Sequence, residues 1–201
     1  MTEGIASGKI KLIMKKVILS VVAMFLLVNM NAQKVFTKTG TVSFTASSPL
    51  EAIEGTTKKS VGVIDLATGK IEVQLLIKSL HFEKALMEEH FNENYMESGK
   101  YADAKFVGDI TNFSSVNLKK DGTYPVKVKG KLTMHGVTKD IETDANLTVK
   151  GGLVTAAKSA FTIKVADYNI TIPGAVKDKI AKEAKISIDL PLQAMVAAKA
   201  K

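Results

Sequence analysis

Three histidines, His81, His90 and His135, are the side chains best placed by type to move protons or hold a metal near neutral pH. Their spacing serves neither task. His81 and His90 stand nine positions apart, whereas a helical metal pair sits at i, i+4, and His135 falls in a turn-like His-Gly step. Carboxylates cluster around Glu88 and Glu89, followed by Glu93 and Glu97. General acid–base work needs a carboxylate desolvated in a cleft, and these read as a solvated, charged face. Ser47-Ser48 and Ser114-Ser115 occupy turn-like contexts without the G-x-S-x-G frame of a nucleophile elbow. Gly151-Gly152 has no helix after it and so makes no phosphate loop. Cysteine is absent, which removes thiolate chemistry and disulfides. The expectation is a protein that is not an enzyme, with no catalytic residues, no metal and no cofactor.

The segment 14–33, MKKVILSVVAMFLLVNMNAQ, points away from the cytoplasm. Lys15 and Lys16 precede an apolar run over 17–28, and small or polar residues close it at Ala32. That order is the pattern of a secretory signal peptide. The run is too short for a spanning helix, which needs about 20 apolar residues. Cleavage is expected after Ala32, although Met30 is large for its place in the site. Residues 1–32 therefore read as leader and signal, and 33–201 as a single mature domain, periplasmic or secreted. Without a cysteine after the signal, lipoprotein attachment is excluded.

The chain carries a net charge of +8. The leader holds Lys9, Lys11, Lys15 and Lys16 against Glu3, which leaves the mature part near +5. All 28 basic residues are lysine. Arginine reads phosphates and base edges through a planar two-pronged fork, so its absence argues against nucleic acid as a partner. A lysine-rich surface is compatible with transient contact with an anionic membrane surface. The sequence leaves the oligomeric state open, a dimer being compatible with it.

Beyond Val35 the dominant period is two. Ile71, Val73, Leu75 and Ile77 share one parity, as do Val126, Val128, Leu132 and Met134, and Ile186, Ile188, Leu190 and Leu192. Alternation of this kind makes strands with one dry face, the habit of antiparallel sheets. Eight strands are expected, over 35–46, 56–66, 69–79, 103–113, 123–134, 137–150, 153–166 and 183–195. Ala67-Thr68-Gly69, Asp121-Gly122, His135-Gly136 and Gly151-Gly152 supply turns. Eight long amphipathic antiparallel strands can close into a barrel and leave no edge exposed. Two segments break the pattern: 82–96 has helical spacing, with Leu86, Met87, His90, Phe91 and Tyr95 on one side, and 173–182 opens with Pro173 as a short helix.

A barrel of this size either fills itself with side chains or holds one small ligand. Tryptophan is absent and tyrosine numbers four, and inward Gly130, Ala145 and Ala157 would leave room. Periodicity alone leaves a filled core and an apolar guest equally open.

Two stretches resemble a known family. Residues 87–106, MEEHFNENYMESGKYADAKF, match a block in which a histidine-bearing helix leads through a lysine–tyrosine pair into a strand with an inward phenylalanine. Residues 128–139, VKGKLTMHGVTK, have the form G-x-L-x-x-H-G-x-T-K. The chain is identified on these as a member of the YceI-like family of exported bacterial proteins. It departs at Ala102, where the family often has proline after the Lys100-Tyr101 pair. The resemblance implies an all-β, eight-stranded antiparallel lipocalin-like barrel with one covering helix and a short second helix. It also implies carriage of a polyisoprenoid or other long lipid inside. On that reading Phe44, Val63, Val73, Leu75, Ile77, Phe106, Ile110, Leu132, Met134, Phe161, Ile163 and Ile188 line the interior. Leu86, Phe91 and Tyr95 of the helix meet the guest at one mouth, while His135, Gly136 and Thr138 fix a turn. The competing readings are a stress-response or interaction module with a filled barrel, and an enzyme acting on a lipid-like substrate.

Overall fold

The structure, a computed structural model, describes residues 34–47, 52–172 and 182–195. The expected signal peptide, nearly all of the expected helix over 173–182 and the alanine–lysine tail lie outside the described residues. Among the described residues nine strands appear: β1 (Lys34–Ser47), β2 (Ala52–Asp65), β3 (Lys70–Leu76), β4 (Asp103–Ile110), β5 (Gly122–Met134), β6 (Val137–Lys150), β7 (Leu153–Lys164), β8 (Glu183–Pro191) and β9 (Gln193–Ala194). Each of the first eight pairs antiparallel with its neighbour in sequence, and β8 returns to pair with β1. The result is the expected closed, eight-stranded antiparallel barrel with a helix across one end. The last expected strand is divided. Pro191, which has no amide hydrogen, ends β8, and two residues of β9 then pair with Val35 and Phe36 of β1.

Three strands stop short of their expected ends, each where local hydrogen bonds satisfy the backbone in place of the ladder, through a side chain at the first two. After β3, Ser79 Oγ donates to the Leu76 carbonyl at 2.7 Å and a 3-10 turn forms over Ile77–Ser79. After β4, Ser115 Oγ donates to the Asn112 carbonyl at 2.8 Å and the turn Phe113–Ser115 follows. After β7, Val165–Tyr168 coil into a 3-10 turn that ends on Asn169 in the left-handed conformation. Asp121-Gly122 makes no hairpin. Gly122 opens β5, and the Asp121 carboxylate instead accepts the amide of Gly151 at 2.9 Å.

The lower end of the barrel is packed solid. Val35, Ile64, Leu147, Val149, Val154 and Leu190 are all but inaccessible. Phe113, Val116 and Leu118, from the connection between β4 and β5, close that end against them. The upper end is built differently. Phe44, Ile53, Leu132, Met134, Phe161 and Ile186 gather there around Ile163, Tyr168 and Ala184, yet most of these large side chains are only half-buried. They point inward in a closed barrel, so the surface they expose faces a hollow.

The outer face of the longest hairpin carries a ladder of opposite charges. Lys127, Lys129 and Lys131 on β5 stand directly across from Asp144, Glu142 and Asp140 on β6, at 3.0, 3.8 and 3.0 Å. A one-residue slip would place like parity against apolar faces, so the ladder and the inward residues agree on a single register. The hairpin turn itself is the two-residue His135-Gly136, with both φ angles positive, at 51° and 72°, the type I′ geometry that matches strand twist.

Surface pairs of this kind contribute about 0.2–1 kcal/mol, so Lys129→Ala shifts the urea midpoint little. Gly136→Ala is expected to cost more, about 1–3 kcal/mol, because the added Cβ would sit 2.6 Å from Cε1 of Tyr101 at a left-handed φ. Equilibrium urea denaturation of both variants checks the order.

Candidate functional site

The hollow is a cavity of about 550 Å³ bounded by all eight barrel strands and the helix. Its floor is the top of the packed lower core: Ile71, Ile110, Val128, Leu147 and Leu190. Its walls carry Phe44 from β1, Ile53 from β2, Val73 and Leu75 from β3, Phe106 from β4, Leu132 and Met134 from β5, Phe161 and Ile163 from β7, and Ile188 from β8. Ile77 enters from the turn after β3, and Val165, Ile170 and Ile172 from the segment after β7. Alternation places these groups: on each strand every second residue faces in, and the inward set is apolar but for Thr143 on β6 and Ser159 on β7.

Every side chain assigned to the lining from sequence reaches this cavity except Val63. Val63 is a correction, and the register explains it. It pairs with Phe36 and Glu72, while its neighbour Ile64 pairs with Val35 and Ile71 and is fully buried. Directly opposed residues share a face, so Val63 stands on the outer wall with Glu72. The run Val61-Gly62-Val63-Ile64 is β-branched on both parities, and nothing in it marks the inner face.

Gly130 also behaves differently from its expected role as empty space. It pairs with Gly108 of β4, and the Phe106 ring lies over both: a Cβ at either glycine would fall 2.7 Å from Phe106 Cζ. The two glycines let the ring lie flat against the wall instead of crossing the lumen. Ala145 and Ala157 do line the cavity, and there a small side chain leaves volume unfilled.

The upper mouth is covered by α1 (Ala85–His90), which widens into a π-helical turn over Phe91–Tyr95. Glu88 braces its start. Its carboxylate accepts the Phe82 amide at 3.2 Å and lies 3.5 Å from Nδ1 of His81. Leu86, Met87, His90, Phe91 and Tyr95 all face the cavity, and so does Lys84. The helix is held to the barrel by an aromatic cluster. Phe91 stacks on Phe44 with centroids 5.0 Å apart, and Phe82 meets the two rings at 4.9 and 5.6 Å. The contact is light, since no residue of α1 is buried and Leu86 remains 62% exposed. Burial pushes the Tyr95 hydroxyl above its usual pKa.

His135 ties three loops together beside the mouth. Its Nδ1 lies 2.9 Å from the Tyr168 carbonyl, so Nδ1 carries the hydrogen and donates it. Its ring meets Tyr101 edge-on at 4.6 Å, and its Nε2 is 4.0 Å from Glu97 Oε1. The imidazole is 8% exposed and stands outside the cavity lining. Among the described residues no group of three or more histidine, aspartate or glutamate side chains could hold a metal.

A closed up-and-down barrel, packed at one end and hollow and greasy at the other, defines a class: a β-barrel with an internal apolar cavity under a helical cover. The YceI-like domain model matches residues 33–192, and the chain belongs to that family. Two UPF0312 proteins are among its curated relatives. The one from Pseudomonas fluorescens is 35% identical over 83 residues, covering 41% of each chain. The one from Pseudomonas putida is 32% identical over 117 residues, covering 55% of this chain and 57% of that one. The chain thus spans about half the length of the curated relatives it matches. Among solved structures, a polyisoprenoid binding domain from Saccharophagus degradans superposes with a TM-score of 0.68 at 16% identity, over 82% of this chain and 100% of the other. BcnA of Burkholderia cenocepacia gives 0.61 at 18% identity, over 77% and 96%. These likenesses show the fold.

Tyr168 generates a pH test. Its ring is buried and its hydroxyl has no hydrogen-bond partner among the described residues. Burial, with Asp167 nearby, holds its pKa above the ordinary 10.0. A raised folded pKa means its contribution is intact below pH ~10 and is lost as pH climbs through the folded value. Tyr168→Phe is expected to leave stability at pH 7 unchanged or raise it by up to about 1 kcal/mol. Above pH ~10 the wild type should lose stability faster than the variant, as read by thermal melts across that range.

Proposed function

We propose that the protein binds a long apolar amphiphile, an isoprenoid or similar lipid, inside the upper half of its barrel. The observation that supports this best is the contrast between the two ends. The same fold packs its lower half to near-zero accessibility and leaves the upper half lined by half-buried phenylalanine, isoleucine and leucine. A folding core gains nothing from leaving such side chains apart, since each unfilled methyl-sized void costs about 1 kcal/mol. The volume, about 550 Å³, lies in the range of roughly 300–1,000 Å³ typical of ligand sites. A solved relative of the same fold is described as a polyisoprenoid binding domain, which agrees in ligand class.

Energetics select the length of the guest. Each methylene moved from water contributes about 0.8 kcal/mol, while association costs about 4–15 kcal/mol in lost freedom. Short chains therefore do not hold: ten methylenes contribute about 8 kcal/mol, inside that range, and about twenty exceed all of it. The ionisable groups Lys84, His90 and Tyr95 face the cavity from α1 and its flanks at the mouth, away from the apolar walls, and carriage is the activity proposed. The signal-like segment 14–32 supports a periplasmic or secreted setting for this activity.

Organic extraction of the denatured purified protein, followed by mass spectrometry, is expected to yield a long-chain lipid in near one-to-one ratio. Ala145→Phe and Ala157→Leu both add volume to the lumen. Each should lower the affinity of the delipidated protein for a fluorescent long-chain probe at least tenfold while the melt stays cooperative. Empty extracts together with full probe binding in both variants would sink the cavity assignment.

A further inference from the structure

On the barrel strands the inward side chains of the upper lumen are apolar except at one place. β6 and β7 are laddered from Lys150 opposite Leu153 up to Ala145 opposite Ser159, and no further. Beyond that pair the residues 137–144 of β6 and 160–164 of β7 run on without pairing to each other. At the fork stand Thr143 and Ser159, and both line the cavity. Ser159 Oγ donates to the Asp144 carbonyl at 2.7 Å, and Thr143 Oγ1 donates to the same carbonyl at 3.2 Å. The two hydroxyl oxygens are 3.3 Å apart. The carbonyl sits one residue past the last paired position, so the hydroxyls serve it where the ladder no longer does. The two hydroxyls also lie within hydrogen-bonding distance of each other, so both hydrogens are committed within the trio they form with the Asp144 carbonyl. What remains on each oxygen is acceptor capacity.

The charges nearest this fork are paired with one another, although Lys158 also borders the cavity. The Asp144 carboxylate pairs with Lys127 at 3.0 Å, and Lys158 pairs with Asp189 at 2.7 Å, on the outer wall. Inside, the pair of oxygens is neutral and set in hydrocarbon. Such a spot offers nothing to a carboxylate or phosphate, and it meets an ether or ester with lone pair against lone pair. It suits a neutral O–H or N–H group.

Resting on the lipid-binding reading above, we propose that Thr143 and Ser159 form a hydrogen-bond-accepting subsite. It seats a neutral hydroxyl, or an equivalent N–H donor, of the apolar guest at the β6–β7 fork. The guest is then a long-chain or prenyl alcohol type of amphiphile, oriented by that contact while its tail fills the lumen toward Phe44, Phe106 and Phe161.

Hexadecanol and methyl pentadecyl ether have the same number of heavy atoms, and only the first has a donor. Competition of each against a fluorescent long-chain probe gives two affinities for the delipidated protein. The wild type is expected to prefer the alcohol roughly three- to tenfold, the worth of one hydrogen bond. Thr143→Val and Ser159→Ala should each bring the alcohol-to-ether ratio toward one, and Thr143→Ser should keep it. Thermal melts report whether each variant is folded. Equal affinity of the wild type for both compounds removes the subsite and leaves the lipid-binding reading standing. An alcohol preference that persists in both Thr143→Val and Ser159→Ala also overturns it, by placing the donor elsewhere. Failure of the wild type to bind either compound or the probe overturns both readings together.

Discussion

Thr41 to Thr45 of β1 pair with Asp189 to Lys185 of β8, and that short ladder turns a row of hairpins into a tube. Without it, two long strands would offer unpaired backbone to any neighbour, and the inward residues would have no common interior. With it, every inward parity in the chain converges on one axis. The alternation that a strand imposes on its own side chains becomes a property of the whole molecule: dry inside, lysine-rich outside. Closure also fixes the number of strands and hence the bore, and a bore of eight strands is near the width at which side chains from opposite walls can just meet. Whether they do meet is then a matter of residue size, level by level.

At the lower level they meet. Val35, Ile64, Leu147, Val154 and Leu190 exclude solvent altogether, and the β4–β5 connection adds Phe113, Val116 and Leu118 beneath them. At the upper level Ala46, Ala104 and Ala184 replace the larger aliphatics, and Phe106 is drawn to the wall over the glycine pair. The barrel is therefore stabilised by one half and hollow in the other. The cover over the hollow half is held by an aromatic cluster and by loops tied through His135, with no buried residue in α1. Fewer buried contacts mean a lower local opening cost, which suits an element standing across an entrance.

Much of this was legible in the sequence. Period two located the strands, Ala67-Thr68-Gly69 and His135-Gly136 located turns, and helical spacing located the segment over the mouth. Strand ends were less legible, because Ser79, Ser115 and the Val165–Tyr168 turn stop β3, β4 and β7 by local hydrogen bonding that alternation does not report. The parity of Val63 was hidden in a run that is β-branched on both faces. The pairing of Gly108 with Gly130, and the ring laid over them, depends on register between strands 20 or so residues apart in sequence, and no single-strand pattern encodes it. The lining contributed by Ile170 and Ile172 comes from irregular chain, where periodicity has nothing to say.

The dense floor has a geometric corollary. A vessel sealed at its base cannot be threaded from one side to the other, so whatever enters must back out by the route it took. Tail lengths beyond the depth of the well are not refused; the surplus simply trails past α1 into the medium. Girth is another matter, because where the strands are laddered the wall cannot widen without breaking hydrogen bonds, and only unladdered stretches such as the β6–β7 fork can part. Such a container sorts visitors by thickness and tolerates them in length.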